Sequence, residues 1–246
     1  MRNWISAVAG ALGGALLAVV VIFAAARQGW LPGTAGPVNI RGYLLNHPEI
    51  LAEITNRLQL LQEAQDKAKA AATMKKLGMA AFFDPRIAFI SGPADAKNSV
   101  VEFYDYNCPY CRLSLPAVEK FYQKHKNDTR FSFIEFPIKG PESIVAARVA
   151  LAARLQPEKY LALHFALMNE SDPVNEAMIY ADAQKAGLDM AKLKADMQNP
   201  EIDAAIAASK ALATRAGIDG TPTFIVNGVM HPGAVDDDTL KSLAES

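Results

Sequence analysis

A strand-like run from Val100 to Tyr106 meets a helix-like run starting at Pro109, and the only two cysteines of the chain, Cys108 and Cys111, stand at that junction. A strand passing straight into a helix begins an α/β unit, so the motif constrains fold and chemistry together. With no third thiol, a four-cysteine zinc site is excluded. A dithiol/disulfide redox centre, a small structural clip or an incomplete metal site remains.

The local context favours the redox centre. Residues three apart in the first helical turn share a face at roughly 5–6 Å, so two sulfurs can close a disulfide with little backbone movement. Pro109 suits the first helical position, which makes Cys108 the N-cap. There its sulfur meets unpaired backbone N–H groups and the positive end of the helix dipole, which stabilise thiolate over thiol. Cys108 is the expected nucleophile. Cys111, a turn deeper, is the expected resolving thiol, attacking a mixed disulfide formed at Cys108 to release the partner. A clip joining two turns is the plainer alternative for an isolated pair of this spacing.

From Asn3 to Ala26 no residue is charged, and Leu16 to Phe23 is nearly all apolar. At about 1.5 Å per residue, a helix of that length crosses a hydrocarbon core of about 30 Å. Residues 1–29 are therefore expected to form an N-terminal anchor, crossing the inner membrane through residues 3–26. A cleaved signal sequence is the alternative, since Ala24-Ala25-Ala26 resembles a cleavage site, but the apolar run exceeds the about 7–15 residues of a signal core. Either way the bulk is expected to be exported, because a reactive pair without competing cysteines suits an oxidising periplasm. Trp30 to Pro37, with Pro32, Gly33, Gly36 and Pro37, reads as a linker over 30–37.

Residues 38–81 read as a helical oligomerisation segment. Asn46, Pro48 and Glu49 signal a helix start, after which Leu51, Ile54, Leu58, Leu61, Gln65, Ala68 and Ala72 recur at spacings of three and four until Gly78 ends the pattern. The flanking faces are polar, so the apolar stripe is narrow, as a self-association seam over residues 44–77 requires. An amphipathic helix packed on its own domain is the competing reading.

Residues 82–246 have the length and apolar content of one domain. Ile87 to Ile90, Val100 to Tyr104 and Arg130 to Pro137 read as strands, with a helix from Pro109 to Lys126 that Pro116 should kink. Helix starts follow at Gly140-Pro141, Pro157, Asn175, Asp189 and Asn199-Pro200, and Gly217 and Gly220 close this block. Thr223 to Val226, the turn Asn227-Gly228 and Val229 to His231 form a hairpin before a last helix from about Asp237 to Ala244. The order is α/β, with a helical block inserted over about 141–216. His164 and His231 are far apart in sequence and read as packing residues. No metal site and no nucleic-acid partner are expected.

Three segments carry a resemblance: Phe103-x-Asp105-Tyr106-Asn107-Cys108-Pro109-Tyr110-Cys111, Glu135-Phe136-Pro137-Ile138-x-Gly140-Pro141-Glu142-Ser143, and Gly217-Ile218-x-Gly220-Thr221-Pro222-Thr223-Phe224 followed by Pro232-Gly233-Ala234. From about Asp84 to the C-terminus the chain resembles the DsbA family of thioredoxin-fold proteins. Tyr43-Leu44-Leu45-Asn46-x-Pro48-Glu49 is similar to the branch containing the suppressor-of-copper-sensitivity protein C (ScsC), in which such a segment serves oligomerisation. The resemblance implies a thioredoxin fold with an inserted helical subdomain, preceded here by the transmembrane anchor and the helical stalk.

It also implies roles that spacing alone does not. Thr221-Pro222 corresponds to the family's cis-proline loop, which lies against the active-site disulfide and offers backbone groups to a bound peptide, with Pro109 and Tyr110 beside it. Glu102 corresponds to a buried acid near the cysteine pair, able to relay the proton of Cys111 because burial raises its pKa. Without the family, Glu102 reads as a strand residue in a salt bridge. No dissociable cofactor is implied beyond the Cys108–Cys111 disulfide. Substrate proteins with thiols or disulfides are the implied partners, together with a membrane redox partner of the DsbB or DsbD/ScsB type.

Direction is less marked. Pro-Tyr between the cysteines occurs in oxidases and isomerases alike, whereas Thr before the cis-proline is similar to isomerase-type enzymes, and a self-associating stalk would hold several sites around one substrate. The expectation is a periplasmic thiol-disulfide oxidoreductase leaning to isomerase, with a DsbA-type oxidase as alternative. A chaperone, or a copper- or zinc-binding protein without redox turnover, stays open, although two sulfurs leave a metal shell short unless protomers share it.

Overall fold

A computed structural model describes residues 20–25 and 40–245. Of the expected anchor over residues 3–26, only 20–25 belongs to these and is helical; the rest lies outside them, as does the linker 30–37. Among the described residues no helix is long and apolar enough to cross a membrane.

Helix α1 (Ile40–Asn46) is followed by the long helix α2 (Pro48–Leu77), which starts at Pro48 and ends where Gly78 takes a φ of 72°, a conformation open to glycine. Leu51, Ile54, Leu58 and Leu61 are all exposed along α2. Two compact units divide the chain at 63/64, inside α2, whereas the sequence reading placed a boundary at 81/82. The physical reason is Met74, buried in one apolar cluster with Phe82, Ile87 and Phe103, so the end of α2 is part of the larger unit's core.

That unit is built on a sheet of β1 (Ala88–Ser91), β2 (Asn98–Tyr104), β3 (Thr129–Glu135), β4 (Thr223–Val226) and β5 (Val229–Pro232) in the order β1-β3-β2-β4-β5. Strands β2 and β3 run parallel and are joined through α3 (Pro109–His125); the other pairings are antiparallel. Pro116 lies inside α3 without ending it. Between β3 and β4 stand α4 (Pro141–Ala153), α5 (Pro157–Met168), α6 (Glu176–Lys185), α7 (Met190–Asp196) and α8 (Pro200–Ala216), and α9 (Asp237–Glu245) closes the chain. This is a thioredoxin-like α/β fold with a helical insertion. The start signals act as caps: the side chains of Asn175, Asp189 and Asn199 accept from the N–H groups of Met178, Lys192 and Glu201.

Strand alternation divides the core. Val101 and Phe103 of β2 point to one face, with Phe82, Phe136 and Ile225; Val100 and Tyr104 point to the other, against α3 and the inserted helices. Glu102 shares the parity of Val100 and Tyr104, which turns a carboxylate toward the face that carries α3. β2 is also central, flanked by β3 and β4, so its C-terminal end is held on both sides where it delivers the chain to Cys108.

Candidate active site

Cys108 occupies the N-cap of α3 in an extended conformation, and Pro109 takes the first helical position. Both cysteines are thiols and both are buried. The Cys108 thiol donates to the carbonyl oxygen of Thr221 at 3.0 Å, across a Thr221–Pro222 peptide bond that is cis. The loop is pinned from its other end, because the Gly233 N–H donates to the Pro222 carbonyl at 2.9 Å. Cys108, Cys111, Thr221 and Pro222, distant in sequence, therefore form one constellation.

The two thiols have opposite electrostatics. Cys108 is lowered to about 5, chiefly by the hydrogen bond from the Cys111 thiol, with further help from the Thr221 side chain and the backbone N–H groups of Cys111 and Tyr110, against a desolvation cost. The Cys111 thiol is pushed far up, first by burial, then by that hydrogen bond and by the negative charge of Glu102. At neutral pH Cys108 is a thiolate and Cys111 holds the proton. The Thr221 carbonyl suits only the thiol form of Cys108, whereas the Thr221 hydroxyl is buried without a partner among the described residues and can serve as donor once the thiolate forms.

Glu102 is buried, one of its carboxyl oxygens has no hydrogen-bond partner among the described residues, and burial raises its pKa to about 8. The salt-bridge reading of this residue does not hold: among the described residues Glu102 forms none. A buried acid titrating near neutrality, felt electrostatically by Cys111, can take up a proton from that thiol.

The turn carrying the cysteines is held by residues whose roles were not assigned from sequence. Buried Asp105 accepts from the N–H of Asn107 (2.8 Å) and the hydroxyl of Ser143 (2.7 Å) with one oxygen, and from the N–H groups of Ile138 (2.7 Å) and Lys139 (2.8 Å) with the other. One carboxylate thus ties the β2–α3 turn to the β3–α4 loop. Asn107 accepts from the Val174 N–H at 2.7 Å, and Arg112 donates twice to the Tyr106 carbonyl. Behind them Tyr104 donates to Glu135 and bonds Tyr160 at 2.7 Å, and Tyr106 meets His164 Nδ1 at 3.1 Å. Burial raises Glu135 well above the usual carboxylate range and lowers His164 to about 3, so the imidazole is neutral at neutral pH. His164 is a packed core residue, and His231 is half-buried in β5. The available signal was Asp105-x-Asn107 just before a helix, an Asx-turn pattern.

Tyr110, Leu113, Ile138 and Ile144 are exposed apolar residues near this turn. Leu113, Pro116 and Ala117 of α3 line an open cleft of about 500 Å³ with Ala234, Val235 and Thr239. Ser114 joins its walls, accepting from the Val235 N–H at 3.0 Å. Among the described residues no group of three or more His, Cys, Asp or Glu side chains is arranged to hold a metal ion.

Solved structures share this fold. A thioredoxin-like oxidoreductase from Silicibacter pomeroyi is 41% identical, with a TM-score of 0.63 over 68% of this chain and 96% of that one. A periplasmic thioredoxin-like protein from Salmonella enterica serovar Typhimurium is 35% identical, with a TM-score of 0.57 over 68% of this chain and 92% of that one. Proteus mirabilis ScsC in a transitional conformation is 28% identical, with a TM-score of 0.63 over 84% of this chain and 92% of that one. The chain spans about a quarter of the length of the curated relatives it matches, Na(+)/H(+) antiporters NhaA such as that of Herminiimonas arsenicoxydans, 29% identical over 163 residues, 66% of this chain and 26% of that protein. Residues 99–245 match the DSBA-like thioredoxin domain, and with the Cys108–Cys111 pair facing a cis Thr221–Pro222 bond within that span, the chain belongs to this family.

Proposed function

We propose that this protein is a periplasmic thiol-disulfide oxidoreductase of the DsbA/ScsC type, acting on protein substrates and leaning to disulfide isomerase. The observation that carries the chemistry is the asymmetry of the pair: Cys108 near 5 beside the cis-proline loop, Cys111 buried and protonated above Glu102. The periplasmic reading is supported by the similar Salmonella enterica thioredoxin-like protein, which is periplasmic.

The Cys108 thiolate attacks one sulfur of a substrate disulfide. A Cys108–substrate bond forms, the substrate S–S bond breaks, and the other substrate sulfur leaves as thiolate. In isomerisation a different substrate thiolate attacks the substrate sulfur of this mixed disulfide, making a new substrate bond and returning Cys108 as thiolate with no net electron change. When no substrate thiol arrives, the ionised form of Glu102, a minor fraction at neutral pH and the major one above about 8, takes the proton of Cys111, whose thiolate attacks Cys108 and expels the substrate sulfur as thiolate, releasing reduced substrate. The oxidase direction runs these steps backwards from the Cys108–Cys111 disulfide. A membrane redox partner closes the cycle: one of the DsbB type takes the two electrons from the dithiol that oxidation of a substrate leaves, and one of the DsbD/ScsB type supplies two electrons to the Cys108–Cys111 disulfide that reduction of a substrate leaves.

The isomerase lean rests on Thr221 before Pro222 and on self-association through residues 44–77, whose Leu51, Ile54, Leu58 and Leu61 are exposed in the single chain. A paired assay tests it: rescue of a scrambled disulfide protein against oxidation of a reduced one. Rescue faster than oxidation supports isomerase, the reverse supports oxidase, and inactivity in both removes the enzyme reading.

A further inference from the structure

On the side of the sheet edge opposite β5, strand β1 borders a second open cleft of about 680 Å³ that contains neither cysteine. Its floor is Asp84 to Ile90; its walls are Arg154, Leu155 and Pro157 at the α4–α5 turn and Glu201, Ala204, Ala205 and Ala208 of α8. The alanines leave room beside the strand, and Leu155 is exposed.

The backbone of β1 is open toward this space. The Ala88 N–H donates to the Asp84 carbonyl and the Ala88 carbonyl accepts from Arg154, so neither group of Ala88 faces β3. In an antiparallel pair the bonded and non-bonded positions alternate, so Ile90 also turns its N–H and C=O outward. Arg154 stands at the start of that open edge. Among the described residues its guanidinium makes a single hydrogen bond, 3.3 Å to Ala88; Glu135 and Asp84 act on it electrostatically, and the remaining donors of the fork are not hydrogen-bonded there. The other basic residue of the cleft, Arg86, is already held by both carboxyl oxygens of Asp84. Glu201 is exposed at the rim.

We propose that this cleft binds the C-terminal end of an extended polypeptide, whose last residues pair with the outward backbone of Ile90 and whose terminal carboxylate meets the Arg154 guanidinium. An edge strand supplies main-chain bonds and alternate side-chain pockets, and a planar guanidinium matches a carboxylate in two-point fashion. Apolar alternate residues in the ligand would lie against Phe89, Leu155 and the α8 alanines. The site is separate from the cysteine pair and does not depend on redox turnover.

The test is a titration with a fluorescein-labelled, cysteine-free hexapeptide, Ser-Thr-Val-Thr-Val-Leu, as free acid and as C-terminal amide, on the full chain carrying Cys108→Ser and Cys111→Ser. Amide NMR shifts on the same protein locate the binding. The expected result is saturable binding of the acid, with shifts at Phe89, Ile90 and Leu155, and about tenfold weaker binding of the amide, as expected for loss of a charge-assisted bond. Arg154→Gln should abolish the difference between acid and amide. Equal affinity of the two peptides for the unaltered cleft overturns the proposal, as do shifts confined to the Thr221 loop. Decanoate shifting the cleft residues while the acid peptide does not would show a site for small amphiphiles and overturn it as well. The acid/amide comparison reads the carboxylate contact even if Arg154→Gln fails to fold.

Discussion

The Cys108 sulfur lies 3.0 Å from the carbonyl oxygen of Thr221, so the proposed nucleophile and the cis-proline loop share one contact. A carbonyl can accept from the thiol but offers nothing to the thiolate, which makes the Thr221 hydroxyl the decisive group of the pair. Replacing Thr221 by Val keeps the shape and removes the donor. Cys108 should then titrate about one pH unit higher, the order expected for a lost hydrogen bond to a charge. Thiolate absorbance against pH checks this; an unchanged midpoint would assign the lowering to Cys111 and the helix N-terminus alone.

The same asymmetry separates the two cysteine variants. Cys108→Ser should abolish disulfide exchange, since the buried, protonated Cys111 cannot replace it as nucleophile. Cys111→Ser should still attack and then accumulate the mixed disulfide, visible on a non-reducing gel as a reducible adduct. Absence of that adduct with a reactive disulfide peptide would reverse the assigned order of attack.

Much of this site was legible in the sequence because its chemistry is local. A proline after Cys108 fixes the helix start, and Asn175, Asp189, Asn199 and Gly217 punctuate the inserted helices through their own side-chain or backbone preferences. The pairing of β2 with β4 across more than a hundred residues, which brings Thr221 to Cys108, carries no local signal; only the place of Thr221-Pro222 against the cysteine pair was implied, by the family resemblance. Glu102 was ambiguous for a related reason: parity says it faces Val100's side, but only packing decides whether that face is wet. Asp105 was overlooked because its partners, Ile138, Lys139 and Ser143, come from another loop.

Asp105 should therefore be among the most sensitive positions away from the sulfurs. Asp105→Ala leaves the donors of Asn107, Ser143, Ile138 and Lys139 without their acceptor, and several of these are buried or half-buried. A loss on the order of 3 kcal/mol is expected. Chemical denaturation measures it, and a loss under about 1 kcal/mol would mean that water replaces the carboxylate there.

The stalk makes a concentration-dependent prediction. Burying Leu58 and Leu61 in a seam between copies would remove apolar area from water, whereas a Leu58→Glu, Leu61→Glu variant would place charge in that seam. The native chain should sediment as an oligomer and the variant as a monomer, with the helical content of the remainder kept. A native chain that stays monomeric at high concentration would remove self-association, and with it one support for the isomerase reading.

Glu102 offers the sharpest link between stability and function. Its folded pKa, about 8, lies above the unfolded value near 4.5, so the folded state holds a proton that the unfolded state releases. Between those two values the unfolded state binds fewer protons, and stability falls as pH rises; the cost is absent below about 4.5 and complete above about 8. Glu102→Gln removes the titration while keeping the shape, so at pH 7 it should be more stable than the native chain by about 1–3 kcal/mol, with the difference vanishing toward pH 4.5. The same change deprives Cys111 of its proton acceptor, so the mixed disulfide at Cys108 should persist longer in the variant even though the protein is more stable. Urea unfolding across pH and the decay of a preformed mixed disulfide measure the two effects on one protein. A pH-independent stability difference would show that Glu102 is not buried as a neutral acid. Unchanged decay beside the expected stability profile would leave Glu102 buried and neutral but without a part in the proton transfer.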